Sequence, residues 1–175
     1  MNLNDVINNR RSIRRFKDTK VTREDILSII ECAQNAPSWK NSQVSRYYVV
    51  EEKRDEVIAS LPDFNKFSVA NAPVFIISTV VNNRSGYDRE GNPETHLIDG
   101  FSYFDNGLQI ENLVLKATEL GLGTLIMGLY DNEVLRTLLE IPENETITVV
   151  IALGEKDIEP QKPQRKVLTD ITKFY

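Results

Sequence analysis

The stretch "NRRSIRRFKD" gathers Arg10, Arg11, Arg14, Arg15 and Lys17 within eight residues. Guanidinium groups are rigid forks that match phosphate oxygens in pairs. Ser12, set among them, adds a hydroxyl able to hydrogen-bond a phosphate or a polyol. A second basic patch, "PQRK" at 163–166, holds Arg165 and Lys166 near the other end of the chain. The two patches either converge on one small anion or stand apart as solvated basic loops, and their spacing alone leaves both readings open. "NAPSWKNSQ" (35–43) offers Ser38, Asn41, Ser42 and Gln43 around Trp39. That set suits a polar ring edge or a polyol, and it equally suits an ordinary helix-to-strand connection. No side chain reads as a nucleophile or general acid. Cys32 falls on a helical pattern, where a free cysteine is more often a core residue than a reactive one. His96 sits in a polar stretch typical of surface.

Composition narrows the ligand. A formal net charge of −5 argues against general nucleic-acid binding, which needs a basic surface, so the arginine cluster is a local feature suited to a small anion. No apolar run approaches the roughly 20 residues of a membrane span. "MNLNDVINNRR" lacks the apolar stretch of a signal peptide. One cysteine excludes an internal disulfide and fits a reducing compartment, so a cytoplasmic protein is expected. One histidine beside that cysteine argues against zinc or haem, and no metal is expected. At 175 residues, 41% hydrophobic and 27% charged, residues 1–175 are expected to form a single domain with a real core.

The elements that must position these groups follow from hydrophobic period and caps. Residues 2–9 read as a short helix with Leu3, Val6 and Ile7 on one face. "TRED" sets a hydroxyl cap at Thr22 before a helix whose stripe is Ile26, Leu27, Ile29, Ile30 and Ala33, stopped by Pro37. "RYYVV" (46–50), "APVFIISTVV" (72–81) and "TITVVIALG" (146–154) are strands, with two short helices, "KRDEVIASL" and "PDFNKFSVA", between the first two. "GLGTLIMG" reads as a helix end followed by a core strand; its spacing is wrong for a dinucleotide fingerprint. Asp131 caps a helix that Pro142 ends. Residues 82–99 are polar and rich in turn formers, a functional or disordered excursion. Residues 100–120 form the longest helical pattern, with one narrow polar stripe of Asp105, Gln109, Asn112 and Lys116 in an otherwise apolar surface. Such a helix is buried on several sides, by a partner subunit or at the centre of a monomer. Few helical segments have the length of regular βαβ crossovers, which predicts an α+β fold with a mixed central sheet flanked by helices on both faces.

"RRSIRRF", "APSWKNSQ", "GLGTLIMG" and a basic "P-x-R-K" occur here in the order in which they recur in the nitroreductase family, across nearly the whole chain. The sequence resembles a short member of that FMN-dependent family. The resemblance implies an α+β nitroreductase-like homodimer with two FMN sites at the subunit interface, each built from both subunits. It implies that Arg10 holds the flavin phosphate, Arg14 the pyrimidine edge and Ser12 a hydrogen bond, with Arg11 contributing mainly backbone. Pro37, Ser38, Trp39, Asn41 and Gln43 would come from the other subunit, and Arg165 and Lys166, in a tail of residues 155–175, would complete the phosphate site. Asn65 matches a family asparagine at the flavin's polar edge, while Ser68 stands where some members carry lysine. Ile126, Met127 and Gly128 would lie beside the flavin, with a backbone N–H of Met127 or Gly128 reaching N5. Residues 82–99, with Tyr87 and His96, would wall the substrate pocket as a lid. The implied activity is NAD(P)H-dependent transfer of electrons through flavin N5 to nitroaromatic, quinone or similar acceptors by a ping-pong mechanism, with no catalytic side chain. Deiodinase-like or flavin-destructase-like chemistry are variants within the family. A flavin-binding regulatory or storage protein without turnover, and an arginine site for an RNA or protein partner, are readings from other classes.

Overall fold

The computed structural model describes residues 2–175. Four strands, β1 (Ser45–Val50), β2 (Val74–Val81), β3 (Leu122–Met127) and β4 (Glu145–Glu155), form one sheet in the order β1-β2-β4-β3. α1 (Leu3–Asn9) and α2 (Arg23–Gln34) precede the sheet, and α3 (Arg54–Ala59) and α4 (Asp63–Val69) link β1 to β2. α5 (Gly100–Glu119) links β2 to β3, and α6 (Asn132–Leu138) links β3 to β4. The α+β class and the helices on both faces are as expected. The sheet itself is a correction: all three strand pairings are antiparallel, not mixed. The reason is helix length. α3 and α6 have 6 and 7 residues, about 10 Å at 1.5 Å per residue, half the reach of a six-residue strand. The connections through α3–α4 and through α6 therefore return the chain at the same end of the sheet, while the 20-residue α5 crosses it and sets β3 parallel to β2 with antiparallel β4 between them.

Alternation along the two central strands accounts for their continuous apolar runs. Phe75 and Ile77 of β2, with Val150 and Ala152 of β4, face one cluster with Val57, Leu61, Val69 and Leu135 from α3, α4, α6 and their turns. Val74 and Ile76, with Ile151 and Leu153, face a second cluster with Ile26, Ile29 and Ala33 of α2 and Leu113, Val114 and Ala117 of α5. Both faces of the sheet are covered, so a one-residue slip would exchange the two clusters. Thr22 caps α2, its hydroxyl accepting the Asp25 N–H at 3.1 Å, and Asp131 caps α6 by accepting the Val134 N–H at 3.1 Å. In α1 only Val6 of the expected face is buried, while Leu3 and Ile7 are exposed; in α2 Leu27 is exposed as well.

α5 is buried along much of its length. In its N-terminal half the stripe residues Asp105 and Gln109 are buried while the apolar Tyr103 and Phe104 point out, 49% and 56% exposed. Asn106 donates to Ser45 Oγ and Ser78 Oγ, both at 2.8 Å, and accepts from Thr148 Oγ1 at 2.8 Å. Gln109 accepts the Tyr47 hydroxyl at 3.0 Å. Ser78 follows Val74 and Ile76 onto the α5 face by ordinary alternation, and the register shift between Ser78 and Thr79 leaves Thr148 of β4 unpaired and free to join them.

The segment 10–16 lies against β3. Ile13 N–H donates to the Thr124 carbonyl at 2.9 Å, and Ser12 makes a parallel bridge with Thr124. Ile13 and Phe16 bury their side chains in the cluster beneath. This approach requires Gly123, where a Cβ would stand 2.6 Å from Ile13 Cγ1 and 3.0 Å from Ile13 Cβ. Gly123→Ala is expected to destabilise the protein by about 1–3 kcal/mol in denaturant unfolding, the usual cost of overpacking. An unchanged midpoint and slope would refute the constraint.

Two tyrosines of β1 make stability fall in alkali. Burial pushes the Tyr47 hydroxyl up to about 12, and burial with the Glu145 carboxylate beside it pushes Tyr48 up to about 12. A raised folded pKa leaves stability intact below the unfolded value near 10 and removes it as pH climbs toward 12. Tyr47→Phe is expected to flatten that decline in unfolding titrations from pH 9 to 12; an unaltered slope would count against Tyr47.

Candidate functional site

α1 ends at Arg10, whose N–H closes on the Val6 carbonyl at 2.9 Å, and the chain then runs extended beside β3. With Ile13 and Phe16 turned into the core, Ser12 and Arg14 are left exposed. The C-terminal tail returns across the same edge. Asp157 N–H donates to the Arg15 carbonyl at 3.0 Å, and Lys162 Nζ donates to Asn8 Oδ1 at 2.6 Å. The result is a recess of about 330 Å³ lined by Arg10, Arg11, Ser12 and Arg14 from one end of the chain and by Pro160, Gln161, Pro163 and Arg165 from the other. The two basic patches do converge.

The cations of the cluster divide by partner. Arg15 is held by Asp157, with Nε 3.0 Å from Oδ2 and a further hydrogen bond to its carbonyl. Lys17 pairs with Glu155, and that hydrogen bond raises the lysine pKa and lowers the glutamate's. Neither lines the recess. Arg10 is only loosely balanced by Glu111, at 3.9 Å. Arg11 Nη1 donates to the carbonyls of Asn8 and Arg10, both at 2.7 Å, while its Nε is buried with no partner. Arg14 and Arg165 make no ion pair among the described residues. Four guanidinium groups with at most one weak counter-ion leave a strongly positive hollow. A larger open groove of about 1070 Å³, bounded by Asp18, Lys20, Arg23, Glu51, Arg54 and Glu140 among others, carries acids and bases in near balance and none of these arginines. The larger groove is thus near neutral, and the smaller recess is the one in which unpaired positive charge gathers.

The other sequence-predicted residues lie elsewhere in the same protomer. Pro37, Ser38, Trp39, Asn41 and Gln43 belong to the turn after α2, packed on the N-terminal half of α5, and Trp39 meets Phe101 edge-on with centroids 4.7 Å apart. This turn has three non-glycine residues at positive φ: Lys40 (46°), Asn41 (55°) and Gln43 (49°). Asn65 is half-buried on α4. Ile126 is exposed at the end of β3, Met127 is buried in the core, and a Cβ at Gly128 would meet nothing within 4 Å. Lys166 is exposed and does not line the recess. None of the residues 37–43, 65 or 126–128 lines it either.

The polar excursion 82–99 is braced rather than loose. Tyr87 is buried, bridges Pro93 and donates its hydroxyl to Asp99 at 2.6 Å. Asp88 accepts the Asn92 and Glu90 N–H groups, which hold its pKa below the usual carboxylate value. Lys40 pairs with Glu94, tying the excursion to the turn at 38–43. His96 is exposed. Sequence reasoning missed Pro160, Gln161 and Pro163, whose signal was the proline-bounded tail "PQKPQ" next to the basic patch. It also missed Asp105 as a buried anchor, because that residue was grouped with the α5 stripe as a whole.

The comparisons with known proteins agree with this geometry. The Nitroreductase family model matches residues 7–69 and 55–155. An Archaeoglobus fulgidus protein, provisionally named an NADH dehydrogenase/NAD(P)H nitroreductase, is 32% identical over 162 residues, covering 87% of this chain and 86% of its own. An NAD(P)H-dependent FMN reductase of Bacillus subtilis is 30% identical over 143 residues, 76% of this chain and 57% of its own. The crystal structure of a nitroreductase family protein from Streptococcus pneumoniae TIGR4 superposes with a TM-score of 0.87 over 98% of both chains at 23% identity, which speaks for the fold. The arginine recess thus sits on the scaffold that those proteins share, and the chain belongs to the nitroreductase family.

Proposed function

We propose that the protein is an FMN-dependent oxidoreductase that takes electrons from NAD(P)H and passes them to nitroaromatic, quinone or similar acceptors. The observation that carries this reading is the recess where Arg10, Arg11, Arg14 and Arg165 converge from opposite ends of the chain. Its donor set fits the group. An FMN phosphate near −2 needs forked cations, and the buried Arg11 Nε still has a hydrogen bond to give. Bound FMN would supply the redox chemistry, accepting hydride at N5 and releasing electrons to the acceptor in a ping-pong cycle. The chain's own work is to hold and shield it. Arg10 and Arg165 neutralise phosphate, Ser12 adds a hydroxyl bond, and Arg14 sets a cation where the ring gains negative charge. The chain around Gly128 leaves room for close approach, since no side chain occupies the space a Cβ would take there.

A homodimer completes the site in this proposal, with Pro37, Ser38, Trp39, Asn41 and Gln43 supplied by the second subunit. The support is exposed apolar surface: Tyr103 and Phe104 of α5, Leu3 and Ile7 of α1, and Leu168, Ile171 and Phe174 of the tail. Asn65, Lys166 and the 82–99 excursion with Tyr87 and His96 would border the pocket where nicotinamide and acceptor alternate.

The purified protein is expected to be yellow, or to become so on adding FMN, and to bleach anaerobically on adding NADH or NADPH. A protein that retains no added FMN would sink the reading; one whose flavin resists reduction would instead be a storage or regulatory protein. Arg10→Ala is expected to weaken FMN binding roughly 10- to 100-fold, the scale of one charged hydrogen-bond pair. Unchanged affinity by fluorescence titration would remove Arg10 from the site. Light scattering should give about twice the 20.0 kDa chain mass, and a monomer at micromolar concentration would exclude the shared site.

A further inference from the structure

Asp105 is 1% exposed, and no lysine, arginine or histidine pairs with it among the described residues. A carboxylate in such a place is costly unless donors satisfy it, and an apolar residue of similar volume would serve stability as well or better. Its donors come from two segments that are far apart in sequence. Oδ2 accepts the backbone N–H of Trp39 at 2.9 Å, the Ser42 hydroxyl at 3.4 Å and the Ser85 hydroxyl. One buried oxygen thereby ties α5 to the 38–43 turn and to the first residues of the 82–99 excursion.

The turn needs such an anchor. Lys40, Asn41 and Gln43 all occupy the left-handed region without being glycine, so the turn holds a conformation its residues disfavour. Its internal hydrogen bonds, Asn41 N–H to the Ser38 carbonyl, Ser42 N–H to the Trp39 carbonyl and Gln43 N–H to Ser38 Oγ, close the loop on itself but do not fix it to the body of the protein. Outside the turn, the Lys40–Glu94 pair and the bond from Arg46 Nη1 to the Gln43 carbonyl at 2.9 Å lie at the surface, and the Trp39 ring contact with Phe101 sets no hydrogen-bond direction. The charge-assisted bond from Trp39 N–H to Asp105 is both buried and directional.

We propose that Asp105 is a positioning residue: its buried carboxylate locks the 38–43 turn in the geometry that presents Ser38, Asn41 and Gln43 to the cofactor, and through Ser85 it couples that turn to the 82–99 excursion. The link to the cofactor rests on the reading above that this turn holds FMN. The carboxylate's charge strengthens all three bonds to Oδ2, whereas an amide that keeps its oxygen there is a neutral, weaker acceptor and buries an N–H₂ in the place of Oδ1, where no hydrogen-bond partner lies among the described residues.

Trp39 is the chain's single tryptophan, so its fluorescence reports the turn directly. In flavin-free full-length protein, Asp105→Asn is expected to raise acrylamide quenching of Trp39 severalfold and shift its emission to the red, and to raise the FMN dissociation constant about 10- to 100-fold. Leu135→Ala, a fully buried core change on the opposite face of the sheet, is the control for general destabilisation. It should lower the melting temperature and leave Trp39 quenching as in the wild type. Ser85→Ala provides a second variant if Asp105→Asn does not fold; it should give a smaller rise in both readings. Wild-type quenching in folded Asp105→Asn, or in Ser85→Ala where only that variant folds, would overturn the anchor. A freed Trp39 with unchanged FMN affinity would overturn the positioning role. A wild-type protein that binds no FMN would instead defeat the cofactor reading, and the quenching comparison would still decide whether Asp105 holds the turn.

Discussion

The contact between Ile13 and Gly123 is the constraint on which the rest depends. Because β3 has no side chain at 123, the segment 10–16 lies flat on the strand, and Ile13 and Phe16 reach the core. That burial gives an otherwise irregular segment a fixed height and a fixed rotation. Arg10, Arg11 and Arg14 then reach one recess while Arg15 turns to Asp157, although none of them belongs to the core clusters. The position of a polar site is thus decided by two apolar side chains and one missing one. Gly154 plays the same part nearby, where a Cβ would stand 2.6 Å from Pro73 Cδ. The strands under the site are smooth so that other chain can lie on them.

A second theme is inversion in α5. Its N-terminal half turns Asn106 and Gln109 toward the sheet and Asp105 toward the 38–43 turn, with Tyr103 and Phe104 exposed, while its C-terminal half packs Leu113, Val114 and Ala117 in the usual amphipathic way. The inward polar groups are satisfied one by one, by Ser45, Ser78, Thr148 and Tyr47 among others, so their burial directs the helix to one rotation about its axis. Of the outward apolar groups, Phe104 meets Phe101 edge-on, yet it and Tyr103 stay about half exposed in the protomer and suit a second subunit in the proposed assembly.

Much of the fold was legible in sequence because period and caps are local. Thr22 and Asp131 announce their helices, and the apolar runs at 72–81 and 146–154 announce strands buried on both faces. Strand direction was not legible, since it depends on how far short helices such as α3 and α6 carry the chain, and the expected mixed sheet proved antiparallel. The rotation of α5 was hidden for a similar reason: nothing local shows that Gln109 meets the Tyr47 hydroxyl of β1 or that Asp105 meets Trp39, Ser42 and Ser85 from two distant segments. In the site, the arginines and the "PQRK" tail carried their chemistry openly. What sequence did not reveal was which cations are spent on local carboxylates. Asp157 takes Arg15 and Glu155 takes Lys17, both through contacts some 140 residues distant in the chain.

The convergence of the two chain ends has a consequence for how the protein is made. Arg14 and Arg165 lie roughly 150 residues apart, so the hollow they share is among the longest-range features of the fold. During synthesis the sheet's first strands and α5 can pair before the tail has left the ribosome, whereas the hollow exists only once residue 165 is free to return. Any ligand that needs both basic patches therefore binds only once residues 160–165 have returned to residues 10–14. Its binding energy then adds to the stability of full-length molecules alone.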